Sequence, residues 1–224
     1  MFSLKSKKHS YLYKNGLIVA FLFLFLISLI GQSYNGWIEF NDFLKDYKQP
    51  VVTYGYYLHS GHFIQATFEN WESEFLQMAL FVILTIFLRQ KGSSESKSCD
   101  EPIVDPSELK AHSHSPWPVK KGGIWLAVYK HSLSIVLLTI YVISFILHWY
   151  GSWLNYNLEQ QLKHEPLERF LAYGASSRLW FESFQNWQSE FLSVFAIIFL
   201  SIYLRQMGSS QSKKVNAAHS ETGE

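Results

Sequence analysis

The chain has 224 residues, a formal net charge of +1 and 48% hydrophobic residues. A charge balance this close to zero gives no electrostatic basis for binding nucleic acid, and the single cysteine, Cys99, excludes an intramolecular disulfide. The mean hydropathy is near zero, which a soluble protein could also show. However, the apolar residues are concentrated in four runs with the charges between them, so the sequence predicts an integral membrane protein.

The four runs predict four transmembrane helices, at about 14–34, 68–91, 128–150 and 184–207. The second and fourth runs hold only 14 strictly apolar residues each, 75–88 and 191–204, fewer than the roughly 20 that a span needs. Their flanks lengthen them, because Asn70 is expected to cap the helix start and Gly92 to end it. Residues 70–91 would then rise about 33 Å, which matches a hydrocarbon core of about 30 Å.

Lysine and arginine predict the direction of the spans, because they are enriched in cytoplasmic segments. They are more frequent in the N-terminal arm (1–15), around the central linker (92–123) and in the tail (208–224) than in the loops 35–67 and 151–183. We therefore expect both termini and the linker in the cytoplasm and both loops outside. The linker is rich in Ser, Pro and charge, which predicts flexibility, and the tail is expected to be disordered.

The chain is duplicated with an offset of 116 residues. Residues 14–97 align with 130–213 without a gap, and the densest match is FENWESEFL (68–76) with FQNWQSEFL (184–192). Repeat 1 (16–91) and repeat 2 (124–207) each hold two spans, so the repeats enter the membrane in the same direction. The predicted fold is an all-α bundle of two parallel two-helix repeats about a pseudo-twofold axis along the membrane normal. Because the first run corresponds to the internal third run, we do not expect it to be a cleaved signal peptide.

Polar residues at helical spacing precede the second and fourth runs and form the candidate polar site. Its members are Asn70, Ser73, Glu74, Gln77, Asn186, Ser189, Glu190 and Ser193. In one interpretation Glu74 and Glu190 face each other across the pseudo-twofold axis and bind a cation or proton, since ionisable residues at membrane depth are costly. In the other, these residues cap helices and hydrogen-bond one helix to another.

Other residues are expected to anchor the spans at the membrane surfaces, namely Trp37, Trp71, Trp153, Trp187, Arg89 and Arg205. The spacing of His59 and His62 would suit a metal on a helix, but their counterparts are Ala175 and Arg178 and no third ligand lies nearby. No metal site, cofactor or catalytic residue is predicted, and no nucleophile, phosphate-binding or dinucleotide motif is present.

The block FENWESEFLQMALFVILTIFLRQKGSSESK (68–97), with Gly31, Gln32, Gly36 and Trp37 after the first span and SGHF at 60–63, resembles a family of uncharacterised small bacterial integral membrane proteins. The resemblance covers most of the chain. It implies a location in the bacterial plasma membrane and brings no assigned activity.

The first functional hypothesis is a structural or regulatory membrane protein without enzymatic activity, which lies in the lipid bilayer and assembles with itself or with an unidentified membrane partner. The alternative is a small transporter or channel for a cation or proton, using the symmetric site around Glu74 and Glu190. A membrane enzyme is the third hypothesis, and it would require His or Asp residues from the outer loops to meet the same spot.

Overall fold

The computed structural model describes residues 10–104 and 110–223, and within these ranges the regular secondary structure is entirely α-helical. The predicted N-terminal arm therefore lies mostly outside the described residues, as does the 105–109 part of the linker. The eight helices are α1 (Tyr11–Asp46), α2 (Tyr54–Tyr57), α3 (Gly61–Phe87), α4 (Trp117–Lys121), α5 (Gly123–Tyr129), α6 (Ser132–Lys163), α7 (Phe170–Tyr173) and α8 (Ser177–Tyr203).

Two of the described helices, α1 and α6, are long and apolar enough to cross a membrane. In α1 the apolar side chains are turned outward; Leu17 and Ile18, for example, are 75% and 70% exposed. Such a continuous apolar surface is unfavourable in water, so these helices indicate membrane association. Helices α3 and α8 have 27 residues each but are less apolar than α1 and α6, because their first halves are polar.

Helices α3 and α8 begin earlier than the sequence predicts. Ser60 and Ser176 are extended residues whose side chains accept hydrogen bonds from the N–H groups of Phe63 and Leu179, at 3.2 Å and 3.3 Å. The expected cap at Asn70 is therefore wrong: Asn70 lies inside α3, and its amide donates to the carbonyl of Ala66. A serine in the extended conformation is a good N-cap. The polar turns that follow each serine are therefore part of the helix, which lengthens it at its N-terminal end.

The offset of 116 residues also separates equivalent local structures. Helices α2 and α3 begin and end 116 residues before α7 and α8. Trp37 donates from its indole N–H to the Val52 carbonyl at 2.8 Å, and Trp153 donates in the same way to the Glu168 carbonyl at 2.8 Å. Each of these hydrogen bonds fixes the loop that follows a long helix against the end of that helix.

Helix α3 lies at the centre of the molecule. It packs most extensively against α6, which comes from the other half of the chain, and it also contacts α8. By contrast α1 touches α3 at a few points, such as the Phe25–Trp71 ring pair at 5.9 Å. Helices α3, α6 and α8 each carry fully buried polar side chains, among them Glu72, His148 and Ser183.

The C-terminal tail forms ordered turns against the ends of α3 and α8, in contrast to the predicted disorder. Lys213 is buried, and its ammonium group donates to the carbonyls of Ala218, His219 and Glu221 at 2.8–3.2 Å. The N–H of Gly92 donates to the Thr222 hydroxyl at 2.8 Å. These hydrogen bonds supply the partners that a polar segment without an apolar core otherwise takes from water.

Candidate functional site

A histidine inside the third apolar run is the centre of the site. His148, on α6, has no exposed surface. Its Nδ1 lies 2.7 Å from Glu72 Oε2 on α3, and its Nε2 lies 3.2 Å from Glu182 Oε2 on α8. The three long helices that meet at the centre of the molecule thus each bring one ionisable side chain to the same point.

Glu72 is buried and fully bonded. Its second carboxylate oxygen, Oε1, accepts a hydrogen bond from the indole N–H of Trp187 at 2.9 Å. With one oxygen on Trp187 and the other on His148, Glu72 holds the imidazole ring in one orientation.

Glu182 is held from two sides. Its Oε2 accepts from the Ser152 hydroxyl at 2.6 Å, and Ser152 lies 2.7 Å from the buried Tyr173 hydroxyl. Its Oε1 accepts from Gln65 Nε2 at 2.8 Å and from Arg178 Nε at 3.1 Å. The three hydrogen bonds from Ser152, Gln65 and Arg178 leave the carboxylate little freedom to rotate.

Glu69 completes the site from one turn further out on α3. It accepts a hydrogen bond from the amide of Asn186. One ligand atom each from Glu69, His148 and Glu182 lies within 4.8 Å of the others. We refer to Glu69, Glu72, His148 and Glu182 as the buried cluster.

The buried cluster borders a cavity of about 310 Å³ at the N-terminal end of α3. Glu69, Gln65 and Arg178 line this cavity. Arg178 donates to both oxygens of Glu159, at 2.9 Å and 2.8 Å, and these hydrogen bonds, with the charges of Glu159 and Glu182, hold the pKa of the guanidinium above its usual range against the effect of burial. The cavity is therefore lined by the positive charge of Arg178 and by the carboxyl groups of Glu69 and Glu159.

The structure brings together part of the candidate polar site. Asn70, Glu74 and Glu190 line one cavity of about 440 Å³, and the Glu74 and Glu190 carboxyl groups interact. Glu74 is exposed. Asn186 contacts the buried cluster, because its amide donates to Glu69.

The remaining members of the candidate polar site do not join a common site. Ser73, Ser189 and Ser193 each donate back to a carbonyl three residues earlier on their own helix. Gln77 lines a separate, mostly apolar cleft further in, between α3 and α8. Helix geometry explains this, because a serine hydroxyl inside a helix readily bonds to its own backbone.

The Trp and Arg residues that are expected to anchor the spans make different kinds of contact in the structure. The indole N–H of Trp187 bonds to Glu72, whereas those of Trp37 and Trp153 bond to loop carbonyls. Arg89 and Arg205 each fold back onto the last carbonyls of their own helix. Trp71 packs between the rings of Phe25 and Phe68.

Sequence reasoning missed the buried cluster, although a signal was available. The offset of 116 relates its four residues to neutral side chains, and these counterparts are Gln185, Gln188, Gln32 and Ala66 for Glu69, Glu72, His148 and Glu182. Each of these four charged or titratable groups therefore has no equivalent in the other copy. The site therefore lies at positions where a charged or titratable residue in one copy is replaced by a neutral residue in the other, and not at the positions that both copies retain.

The fold and the site define an all-helical protein with helices that could cross a membrane and one buried carboxylate–histidine cluster. The chain belongs to the family described as domain of unknown function DUF6766, whose model matches residues 8–224. This agrees with the uncharacterised family expected from the sequence. Comparison with curated proteins and with solved structures gives no match.

Proposed function

We propose that this is a multi-pass protein of the bacterial plasma membrane that binds a cation or proton at the buried cluster and moves it across the membrane. Its four spans would form two parallel two-helix repeats, with both termini and the linker in the cytoplasm. The observation that carries the proposal is that three carboxylates and a histidine meet at the junction of α3, α6 and α8, with Glu72 and His148 fully buried.

The charge of the buried cluster favours a binding role over a purely structural one. Even with His148 protonated, the four acidic groups of Glu69, Glu72, Glu159 and Glu182 outnumber the two basic groups, His148 and Arg178. Unbalanced buried charge is costly, and more so in a membrane. A bound cation or proton would offset the excess.

Access from the outer side supports movement of the bound species. The 310 Å³ cavity reaches Glu69, and Arg178 at its rim is held by Glu159 and Glu182. Glu74 and Glu190 lie further along α3 and α8, next to a second cavity, and would be the next acidic position inward. The proposal is one of binding and transport, not of an enzymatic reaction; a structural or regulatory role, with self-assembly or a membrane partner, is the outcome if no transport occurs.

The lengths of α3 and α8 support four spans. Each has 27 residues, about 40 Å at the usual rise, and the inner half of each is apolar. Their polar outer halves would face the buried cluster rather than lipid, as ionisable groups in membrane helices usually do.

The single cysteine offers a test of the orientation. Cys99 is exposed in the linker, so a membrane-impermeant maleimide should label it only after the membrane is permeabilised. A variant combining Cys99→Ser with Leu167→Cys, which places the thiol on an exposed outer-loop position, should be labelled in intact cells. Labelling of Cys99 in intact cells would reverse the proposed orientation.

Flux into proteoliposomes tests the transport function. The wild type should carry protons or monovalent or divalent cations, and His148→Gln should abolish the flux because it removes the central group of the buried cluster. Glu74→Gln/Glu190→Gln tests whether the second acidic position lies on the same route. Absence of flux in the wild type for every ion offered would reject transport in favour of the structural role.

A further inference from the structure

We propose that the buried cluster is a site for a divalent first-row transition metal ion, with His148 Nε2 and the carboxylates of Glu69 and Glu182 as its ligands. This inference deepens the proposed function by naming the class of cation. It also stands on geometry that direct binding can test without any transport assay.

The orientation of His148 is the first argument. Its Nδ1 faces Glu72 at 2.7 Å, and Glu72 is itself fixed by the Trp187 N–H at 2.9 Å. If Nδ1 carries the proton, Nε2 presents its lone pair toward Glu182. A histidine that donates one N–H to a carboxylate and offers the other nitrogen is the arrangement found for metal-bound histidines, because the carboxylate fixes the tautomer and raises the basicity of the ring.

The spacing of the ligand atoms is the second argument. A tetrahedral ion bound at about 2.1 Å separates its ligand atoms by about 3.4 Å. His148 Nε2 and Glu182 Oε2 already lie 3.2 Å apart, and a carboxylate oxygen of Glu69 lies within 4.8 Å of one ligand atom of each of these two residues. A small rotation of the Glu69 side chain would close the site, and the outer cavity that Glu69 lines leaves a position for water or for an incoming ion.

The chemical types of the ligand atoms indicate which class of metal ion the site would bind. One imidazole nitrogen and two carboxylate oxygens suit Zn²⁺, Mn²⁺ or Fe²⁺, whereas Ca²⁺ and Mg²⁺ prefer all-oxygen sites. A divalent ion would also offset two of the three negative charges of the buried cluster. Because a bound metal needs the lone pair of Nε2, any proton on that nitrogen would be released on binding.

Equilibrium binding to the full-length protein in detergent tests the site. After treatment with a chelator, the wild type should bind one Zn²⁺ or Mn²⁺ per chain, measured by dialysis and elemental analysis, and it should not bind Mg²⁺ at the same concentration. Glu69→Gln and His148→Gln should each weaken binding by at least tenfold. Trp187→Phe, which removes the hydrogen bond to Glu72, should weaken it by about tenfold, as loss of an outer partner typically does.

The chain offers matched controls. Glutamine stands at the counterparts of Glu69 and His148, namely Gln185 and Gln32, so both substitutions introduce a residue that an equivalent helix position already carries. His59→Gln changes an exposed histidine outside the cluster and should leave binding at the wild-type level. Circular dichroism confirms that each variant is folded, and if His148→Gln does not fold, Glu69→Gln and Trp187→Phe carry the test.

The outcomes separate this inference from the proposed function. Failure of the folded wild type to bind either metal, or binding that folded Glu69→Gln and Trp187→Phe retain in full, overturns the metal site. Proton flux without metal binding would keep the transport function and reject the metal. Metal binding without flux would keep the site and reject transport.

Discussion

Gly61 and Gly151 lie face to face where α3 crosses α6, so close that a β-carbon on Gly61 would fall 2.8 Å from the Gly151 carbonyl oxygen. A β-carbon on Gly151 would fall 2.4 Å from the backbone nitrogen of Gln65. Backbone atoms cannot move aside as a flexible side chain can, so this contact sets the distance between the two helices that carry Glu72 and His148. Small residues at such crossings let membrane helices approach closely.

Gly151→Ala should therefore destabilise the protein by about 1–3 kcal/mol, the usual effect of overpacking. Thermal unfolding in detergent measures the change. Gly31→Ala is the matched control, because a β-carbon there meets nothing within 4 Å, and it should be neutral or slightly stabilising. Equal unfolding temperatures for the two variants would contradict the close crossing.

The loops that follow α1 and α6 should depend on a pair of equivalent asparagines. Asn41 exchanges two hydrogen bonds with the backbone of Val52, at 2.7 Å and 3.2 Å, and Asn157 does the same with Glu168, at 2.9 Å and 3.0 Å. Asn41→Ala or Asn157→Ala should each cost about 1–3 kcal/mol and make the following loop more sensitive to protease.

Asn35→Ala is the control for both asparagine variants, since the exposed Asn35 amide bonds only to its own helix, at the Gly31 carbonyl. Loss of the loop's protection in Asn35→Ala as well would show that the effect is not specific to the hydrogen bonds that reach the loop.

Part of the fold can be predicted from the sequence alone, whereas the site cannot. Apolar runs and the 116-residue offset predict where the long helices lie, because both are properties of local sequence. The starts of α3 and α8 differ from the prediction, because Ser60 and Ser176 cap these helices ahead of the polar NWxSEF motif, which lies inside them. The buried cluster could not be derived from spacing, since it joins Glu72 to His148, which is 76 residues away, and only packing decides which helices meet.

The N-terminal end of α3 should respond to pH through His62. Burial lowers the pKa of His62 below its usual value, although the nearby carboxylates of Glu39 and Glu159 act in the opposite direction. Burial also raises the pKa of Tyr57 to about 12. The Tyr57 hydroxyl thus stays protonated and can donate to His62 Nδ1 at 3.1 Å, while the Nε2–H group can donate to Glu39 at 3.0 Å.

The sign of the pH effect follows from the lowered pKa. Below pH about 6.5 the unfolded chain protonates this histidine while the folded protein resists, so stability is full above that pH and falls as the pH drops. Thermal unfolding at about pH 5 and about pH 7.5 should show a larger loss for the wild type than for His62→Gln. An identical loss in both proteins would assign the pH dependence to other groups.

The ordered tail should depend on Lys213. Its ammonium group holds three backbone carbonyls of the tail, so Lys213→Ala should release residues 214–223 and speed their removal by protease. Lys97 occupies the equivalent position in the first copy and is exposed; Lys97→Ala should leave the cleavage rate unchanged. Rapid cleavage of the tail in the wild type would instead agree with the disorder that its sequence predicts.

The division of the buried cluster between the two halves of the chain has a consequence for its assembly. Glu69 and Glu72 come from the first half, and His148 and Glu182 from the second. Gln185, Gln188, Gln32 and Ala66 stand at the equivalent positions of the other half, so neither half alone holds the full set. The cluster therefore forms only when α3 has packed against α6 and α8, and its completion requires that the two halves of the chain have folded together.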